Sequence, residues 1–351
     1  MDNQETNLLH YKQINSSMIS LFQYLFSIFV ILVHSGRLVE NELLHFTFKS
    51  VFARMAVPFF MICSSFFIRG YLTVHHRVGI YIRHLVKTYL FWSLIYLPYA
   101  CFYLQSLPLP SHHPLIYLIG LVVALVYTGM CYQLWYIPAF LLGVWLVSQL
   151  LKFIGKIKTG ILLFLLYLFG SIETYSAYLG HTPFFTAYQA YARILITSRN
   201  GIFYAPIFIF LGYLLYDFYQ TNLFKNSYVW KVIACFALLC VEYILVFLRQ
   251  GLDKNFFLGL PLFILFLFNA ISRTSVFAKK DFSTLRKLST LYFFIHPIFI
   301  EWTLFALRER SMSPAEKGSY LFFSSLICTH LVSTFMLKVK QWRIRHINRI
   351  R

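Results

Sequence analysis

Long apolar stretches recur along the sequence and constrain the fold more than any other feature. The first runs from Met18 to Leu38 and is almost wholly apolar. About 20 such residues suffice to cross a bilayer as an α-helix. Of the 351 residues, 59% are hydrophobic and 12% are charged, whereas soluble domains carry about 25% charged residues. The sequence therefore predicts an all-α integral membrane protein.

Eleven apolar runs are candidates for membrane spans. They lie at about 18–38, 50–70, 86–106, 114–130, 134–152, 159–178, 200–217, 229–248, 255–272, 288–306 and 318–338. No clear small-residue cleavage site follows the first run, so we expect this span to stay in the mature protein.

Clusters of Lys and Arg predict the orientation of these runs, because short basic loops stay in the cytoplasm. Two such loops, 69–87 and 152–158, allow only one inward crossing between the third run and 152–158. The run 134–152 leads directly into the second loop, so 114–130 is predicted to be a re-entrant or interfacial segment. About ten transmembrane helices then remain, with both termini cytoplasmic. The further basic clusters are 273–287 and the tail 339–351.

The whole chain, 1–351, is predicted to be a single membrane domain, with its spans within about 18–338 and a basic cytoplasmic tail at 339–351. The formal net charge of +19 does not indicate nucleic acid, because the basic residues lie in short loops between spans. We therefore expect the lipid bilayer, and no nucleic acid, as a partner. The six cysteines lack metal-ligand spacing, so no metal is expected.

Polar side chains within the predicted spans are the candidates for function, because a charge at mid-membrane costs about 2.5–3.5 kcal/mol. Gln23 and His34 lie eleven residues apart, on nearly the same helix face. His296 is predicted near mid-membrane. A further group is predicted toward the outer side: Arg54, Glu173, Arg199, Asn200, Glu242 and Glu301. Their similar depth predicts a shared, partly hydrated cavity.

A structural role remains open for each of these residues. Arg54 could pair with a helix end or with Glu173, and Arg199 and Asn200 could mark only a helix start. His296 could bond the backbone carbonyl that Pro297 leaves unpaired.

Such a cavity allows a limited chemistry. A neutral imidazole can act as a general base or carry an acyl group, and an arginine can stabilise an oxyanion or hold a phosphate or carboxylate. The sequence contains no GxSxG elbow, no Walker loop and no GxGxxG motif. His296 and Glu301 match the spacing of soluble His-x4-Asp acyltransferases, but on one helix they point about 140° apart. We attribute that match to chance.

Five segments, in order, resemble acyltransferase family 3, the multi-span enzymes that modify cell-envelope glycans and related acceptors. The resemblance covers roughly residues 15–340. The segments are Val30-Ile31-Leu32-Val33-His34, Arg54-Met55-Ala56-Val57-Pro58-Phe59-Phe60 followed by Ser64-Ser65, Leu134-Trp135-Tyr136-Ile137-Pro138-Ala139, Arg199-Asn200-Gly201-Ile202-Phe203 through Gly212, and Phe294-Ile295-His296-Pro297. They are also similar to the membrane part of serine racemases linked to vancomycin resistance, which carry a further pyridoxal-phosphate domain.

The resemblance implies an integral membrane O-acyltransferase, with acetyl as the expected group. The donor would be a cytoplasmic acyl-CoA, used as substrate with no bound cofactor, and the acceptor a hydroxyl of an envelope glycan or a small molecule. The expected location is a bacterial plasma membrane. His34 would be the base or acyl relay. Acceptor-binding or charge-stabilising candidates are Arg54, Glu173, Arg199, Asn200 and Glu301. Donor-binding candidates are Gln23, Ser64, Ser65, Arg69, Trp135 and His296.

Two departures from the family pattern keep other functions open. Gln23 stands where the family often has Arg, and Ser64-Ser65 stands where it usually has Ser-Gly. A transporter or flippase for an acyl group, an amino acid or a glycan intermediate fits the same cavity. A sensor or scaffold without chemistry is a third possibility, favoured by Gln23.

Overall fold

The computed structural model describes residues 14–74, 78–108 and 113–350, and the regular elements within these ranges are helices. In chain order the α-helices are α1 (Ser16–His34), α2 (Glu42–Phe46), α3 (Ala56–Val74), α4 (Val78–Ile95), α5 (Leu97–Ser106), α6 (Pro114–Val123), α7 (Tyr136–Ser171), α8 (Ser176–Leu179), α9 (Pro183–Leu195), α10 (Ala205–Phe218), α11 (Asn222–Lys225), α12 (Tyr228–Leu248), α13 (Leu260–Arg273), α14 (Ser283–Ala306) and α15 (Pro314–Ile350). Two π-helical segments, Thr47–Phe52 and Ala124–Thr128, and one 3₁₀ turn, Ala53–Met55, complete the regular structure of these ranges.

The chain forms two compact units. One, here called the end unit, comprises the described residues 14–57 and 270–350. The other, the middle unit, comprises 58–269. The predicted single domain 1–351 remains a prediction, and the predicted tail 339–351 continues α15 without a break up to Ile350.

Helices α1, α14 and α15 are the main elements of the end unit. Asn15 caps α1 by accepting a hydrogen bond from the Met18 amide at 2.9 Å. The side-chain nitrogen Nδ2 of Asn15 also donates to the carbonyl oxygens of Thr274 and Val276, at 2.7 and 2.8 Å. The Ser289 hydroxyl donates to the Gln23 carbonyl at 2.8 Å. The start of the chain is therefore tied to its last quarter.

In the middle unit, α7 packs against α10 around a core of large aromatic side chains. The Tyr167 ring lies 5.8 Å from Phe208 and 5.1 Å from Phe256, measured between centroids. The buried Tyr167 hydroxyl donates to the Phe257 carbonyl at 2.9 Å, which satisfies the polar end of that side chain.

Six helical segments in the described ranges are long and apolar enough to cross a membrane. A bent pair, 79–95 with Leu97–Ser106, makes a seventh if it counts as one span. Large apolar side chains on α12 face outward, with Trp230 71% and Leu238 69% exposed, as expected of a lipid-facing helix. The all-α, multi-span prediction is therefore confirmed at this level, while ten crossings and cytoplasmic termini remain predictions.

Two features of the helices explain why up to seven membrane-spanning segments are found where ten transmembrane helices were predicted. Helix α7 is assigned over 36 residues, but Gly155 within it has φ 75° and ψ 175°, which breaks the helix inside the basic loop 152–158. Helices α10 and α13 have only 14 residues each, or about 21 Å, whereas the hydrocarbon core is about 30 Å thick. Ten spans require two crossings from α7 and one each from α10 and α13.

The predicted re-entrant or interfacial segment is also short. It consists of the 10-residue helix α6 followed by the five-residue π-helical segment Ala124–Thr128. Its combined length agrees with a segment that does not cross the bilayer alone.

The predicted span 50–70 is not a regular α-helix over its first six residues. Helix α2 leads through the π-helical segment Thr47–Phe52 and the 3₁₀ turn Ala53–Met55 into α3. Pro58 lies in the first turn of α3, where its missing amide hydrogen is tolerated. The predicted span 86–106 bends by 58° between α4 and α5, and Pro98 occupies the first turn of α5.

Candidate functional site

Two histidines meet in the end unit. His34 is the last residue of α1 and is half-buried, and His296 lies within α14 and is fully buried. Their rings are nearly parallel, at an angle of 25°, with centroids 5.5 Å apart. The structure thus brings the predicted catalytic residue beside a residue predicted to bind the donor.

The His296 ring is held by its own helix. Its Nδ1 lies 2.7 Å from the Tyr292 carbonyl oxygen, four residues earlier. Its Nε2 is buried and has no hydrogen-bond partner among the described residues. This bond goes to the Tyr292 carbonyl, one residue before the Phe293 carbonyl that Pro297 leaves without an amide donor, and it uses only one of the two ring nitrogens.

Three further candidates lie in the end unit. Arg54 is in the 3₁₀ turn Ala53–Met55, which packs against α1. Gln23 is half-buried on α1, and the unbroken helix places it on nearly the same face as His34. The half-buried Glu301 carboxylate on α14 makes no hydrogen bond or ion pair with any described residue.

A chain of hydrogen bonds that the sequence analysis missed crosses the end unit. The Tyr24 and Tyr292 hydroxyls lie 3.1 Å apart, and the Tyr292 hydroxyl lies 2.7 Å from Nδ1 of His330. These side chains come from α1, α14 and α15, so the chain ties the three helices together. His330 could have been noticed as an ionisable residue in an apolar run, but its partner Tyr292 lies 38 residues away along the sequence, and Tyr292 in turn bonds to Tyr24, 268 residues before it.

Arg199 and Trp135 meet in the middle unit. The guanidinium carbon of Arg199 lies 4.8 Å from the centroid of the Trp135 ring, within the range of a cation–π interaction. Arg199 Nε is buried without a hydrogen-bond partner among the described residues. The half-buried Arg199 side chain thus packs on the Trp135 ring, and its Nε can still donate a hydrogen bond.

Glu173 lies in the same region, just beyond the end of α7. One carboxylate oxygen accepts a hydrogen bond from the Ser198 hydroxyl at 3.1 Å. Burial, followed by the negative charge of Asp253, raises the pKa of Glu173, and the charge of Arg199 acts in the opposite direction. Glu173, Asp253 and Arg199 therefore form one electrostatically coupled group.

Asn200 has a structural role. Its side-chain nitrogen donates to the Tyr127 hydroxyl, the Tyr191 hydroxyl and the Thr197 carbonyl, each at 2.9 Å. Its side-chain oxygen accepts from the amides of Ile202 and Phe203, at 2.8 and 3.1 Å. The buried amide group is engaged on both atoms. These bonds support the alternative that Asn200 marks a helix start and shapes the segment that carries Arg199, while acceptor binding by Asn200 stays a prediction.

Glu242, another acid predicted on the outer side, anchors a loop. It accepts hydrogen bonds from the Tyr175 hydroxyl and the Leu258 amide, and one from the Gly259 amide at 2.8 Å. These amides lie just before α13, where a carboxylate is favoured by the helix dipole.

Ser64 and Ser65 differ in their surroundings although they are adjacent. Ser65 is fully buried, and its hydroxyl donates to the Ile62 carbonyl at 3.0 Å. It packs so closely on α10 that a Cβ added to Gly212 would lie 1.9 Å from its Oγ. Ser65 thus has a packing role, while donor binding by Ser65 stays a prediction from the family resemblance. Ser64 is within hydrogen-bonding range of Tyr81 and Tyr136.

Arg69 forms a bidentate ion pair with Asp217 on α10. Its Nε and Nη2 donate to the two carboxylate oxygens at 2.7 and 2.9 Å. Lys156, next to the Gly155 break, lies 2.8 Å from the same carboxylate. Two cations thus share one anion, which leaves a positive excess. Residues 75–77 of the basic loop 69–87 lie outside the described residues.

Asp217 and Lys156 were not predicted as site residues. Asp217 is the single acid within α10, which was the available signal. No group of three potential metal ligands occurs among the described residues.

Helices of membrane-spanning length together with these polar clusters define a multi-pass membrane protein. The sequence profile of the acyltransferase 3 domain family matches residues 18–338, so the chain belongs to this family. No solved structure is significantly similar to it.

Curated relatives carry other names. A serine/alanine racemase of Enterococcus gallinarum is 29% identical over 84% of this chain and 42% of its own length. An amino-acid racemase of Enterococcus faecalis is 25% identical over 82% of this chain and 41% of its own length. The chain thus spans less than half the length of these relatives, and the similarity to the membrane part of such proteins is confirmed.

Proposed function

We propose that this protein is an O-acyltransferase of a bacterial plasma membrane. It would move an acyl group, expected to be acetyl, from a cytoplasmic acyl-CoA to a hydroxyl of an envelope glycan or small acceptor. The observation that carries this proposal, within a chain of the acyltransferase 3 family, is the paired imidazoles His34 and His296. An imidazole can carry an acyl group or accept the proton of a hydroxyl.

The donor and acceptor residues are assigned as follows. Arg69 and Lys156 have the positive excess that the phosphates of acyl-CoA require, and Ser64 remains a donor-side candidate with Trp135 and Gln23. Arg54, Arg199, Glu173 and Glu301 remain candidates for binding the acceptor or stabilising charge, as the sequence predicts.

A test measures transfer of label from [14C]acetyl-CoA to the envelope fraction in membranes that contain the protein. We expect His34→Ala to abolish transfer while membrane insertion is unchanged. Exposed His84 on α4 gives the control variant His84→Ala, which should transfer at the wild-type rate. Full activity of the His34→Ala variant would contradict the assignment.

A second candidate function is the binding and transport of an amino acid. The specific observation is the coupled group of Glu173, Asp253 and Arg199 beside Trp135, which offers both signs of charge to a zwitterion. Two relatives are named as racemases of serine, alanine or other amino acids. Uptake of labelled serine or alanine into proteoliposomes, with no covalent product and with loss in Arg199→Gln, would favour this candidate over acyl transfer.

A further inference from the structure

The protonation pattern of His296 follows from its partner. A backbone carbonyl oxygen only accepts hydrogen bonds, so Nδ1 at 2.7 Å from the Tyr292 carbonyl carries the ring proton. In the neutral imidazole, Nε2 then has a lone pair and no proton. A ring flip would lose the bond to the carbonyl, so the unprotonated nitrogen stays on one side.

Nε2 of His296 lacks the partner that buried polar atoms usually have. It is buried and bonds to none of the described residues. A buried acceptor without a partner destabilises the folded protein, so a functional role accounts for this atom better than a purely structural one. A charged imidazolium with an unpaired N–H would cost more in this place. The ring therefore rests neutral, and the Nε2 lone pair is free to accept the hydrogen bond of a hydroxyl and to hold its proton only during a reaction step.

The two imidazoles of the pair differ in ways that separate their roles. His34 lies at the end of α1 and is half-buried, so it is the more open of the two rings. His296 is inside α14, fully buried and fixed in one tautomer. With ring centroids 5.5 Å apart, both can reach one small substrate group, because reacting atoms approach to about 3–3.5 Å before reaction.

We propose that the pair divides the reaction: His34 carries the acyl group and Nε2 of His296 accepts the proton of the acceptor hydroxyl. This assignment rests on the proposed acyltransferase function. It gives His296 a role at the acceptor step and replaces the donor-binding role predicted from the sequence.

The steps balance as follows. A ring nitrogen of His34 attacks the thioester carbon, so an N–C bond forms, the C–S bond breaks, and the CoA thiolate leaves. The acyl-imidazolium loses its ring proton to the thiolate, which gives CoA–SH and acyl-His34. The acceptor hydroxyl oxygen then attacks the acyl carbon as His296 Nε2 takes its proton. The C–N bond breaks, His34 takes that proton back from His296, and the ester and both neutral imidazoles result.

The variant His296→Asn isolates this role. The Asn side-chain nitrogen can replace Nδ1 as donor to the Tyr292 carbonyl, so the helix contact is kept, but no atom replaces Nε2. The purified full chain in proteoliposomes is given [14C]acetyl-CoA. We expect the variant to form the acyl-protein at a rate within threefold of the wild type, and His34→Asn to form none.

Discharge of the acyl-protein is then compared for two nucleophiles. Glycerol serves as an alcohol that must lose a proton, and hydroxylamine as a nucleophile that needs no base. General base catalysis is worth about 10²–10⁴-fold, so discharge to glycerol should fall by at least about 100-fold in His296→Asn. Discharge to hydroxylamine should stay within threefold. His84→Asn is the control and should match the wild type in both assays.

Each other outcome overturns the assignment in a distinct way. Unchanged discharge to glycerol shows that His296 is not the base, and failure of a correctly folded His296→Asn variant to become acylated refutes the division of roles. If that variant does not elute as the wild type, His296→Gln is judged by the same criteria. Transfer by the wild type without a labelled intermediate removes the relay but keeps the enzyme. Absence of both label and transfer in the wild type instead contradicts the proposed function.

Discussion

Glu173 shows how one half-buried acid makes stability depend on pH. Its pKa is raised in the folded protein by burial and by Asp253. Between the ordinary value of about 4.3 and the raised value, the folded state binds more protons than the unfolded state. The free energy of unfolding therefore falls as pH rises through this window.

We expect Glu173→Gln to remove this dependence. At neutral and higher pH its thermal midpoint in detergent should exceed that of the wild type, because the buried negative charge is gone. The difference should shrink on acidification and disappear below about pH 4. Exposed Glu309 gives the control variant Glu309→Gln, which should match the wild type throughout. A Gln variant that is less stable at neutral pH would mean that hydrogen bonds to the charged carboxylate outweigh its burial.

At the scale of single residues, the sequence indicates which side chains have a high free-energy cost inside a membrane. It does not indicate which residues they contact. His34, His296 and Arg199 were predicted as candidates for this reason. The sequence also offered a helix-start role for Asn200, but its side-chain partners Tyr127 and Tyr191 were not predictable, because they lie 73 and 9 residues away. Ser65 was predicted from a family pattern, and only the closeness of Gly212 reveals its packing role.

Among the helices, the contact of α3 with α10 through Ser65 and Gly212 yields a second prediction. Gly212→Ala places its Cβ 1.9 Å from Ser65 Oγ and 2.8 Å from the Ile62 carbonyl oxygen. Overpacking of this kind costs about 1–3 kcal/mol, so the thermal midpoint should fall. Adding Ser65→Gly should restore part of the loss, because the clash with the Ile62 carbonyl persists.

The matched control for this prediction is Gly79→Ala on α4. No atom lies within 4 Å of a Cβ added at Gly79, so this variant should be neutral or slightly more stable. Equal losses for the two alanine variants would show that the effect at Gly212 does not come from helix packing.

The positions of the helices were predictable because an apolar run of about 20 residues is long enough to stand out in the sequence. Each of the eleven runs contains a helix, and the proposed break of α7 coincides with the basic loop 152–158. The irregular segment from Thr47 to Met55 was not predicted, since π- and 3₁₀-helical turns have the same apolar composition as an α-helix. The lengths of α10 and α13 were overestimated, because apolar residues continue into loops beyond the helix ends.

For the whole molecule, the number of crossings is the prediction to test. In a chain whose six native cysteines are replaced, we place single cysteines by Ser227→Cys, Gln250→Cys or Ser275→Cys. Ten crossings require that a membrane-impermeant maleimide added outside cells label only the Gln250→Cys variant, because α12 and α13 then each cross. Labelling of all three, or of none, would show that the loops share one side and that fewer helices cross.

The class of the molecule was predictable from composition, whereas the orientation that the distribution of Lys and Arg indicates stays a prediction. The division into a middle unit and an end unit was not, since the sequence contains no linker at 57–58 or 269–270. Both boundaries fall within helices, α3 and α13, so no Gly- or Ser-rich signal marks them.

The bonds that close the end unit set a minimum time for its assembly on the ribosome. The hydrogen bond of Asn15 forms only after Thr274, 259 residues later, has been synthesised, and that of Tyr24 only after Tyr292, 268 residues later. At about 5–20 residues per second, α1 is in place for roughly 13–50 s before α14 emerges. The middle unit is synthesised during this interval, while Asn15, Gln23, Tyr24 and His34 still lack their late partners. The helix that carries His34 is thus synthesised long before α14 and α15 and is among the last elements of the end unit to reach its final contacts.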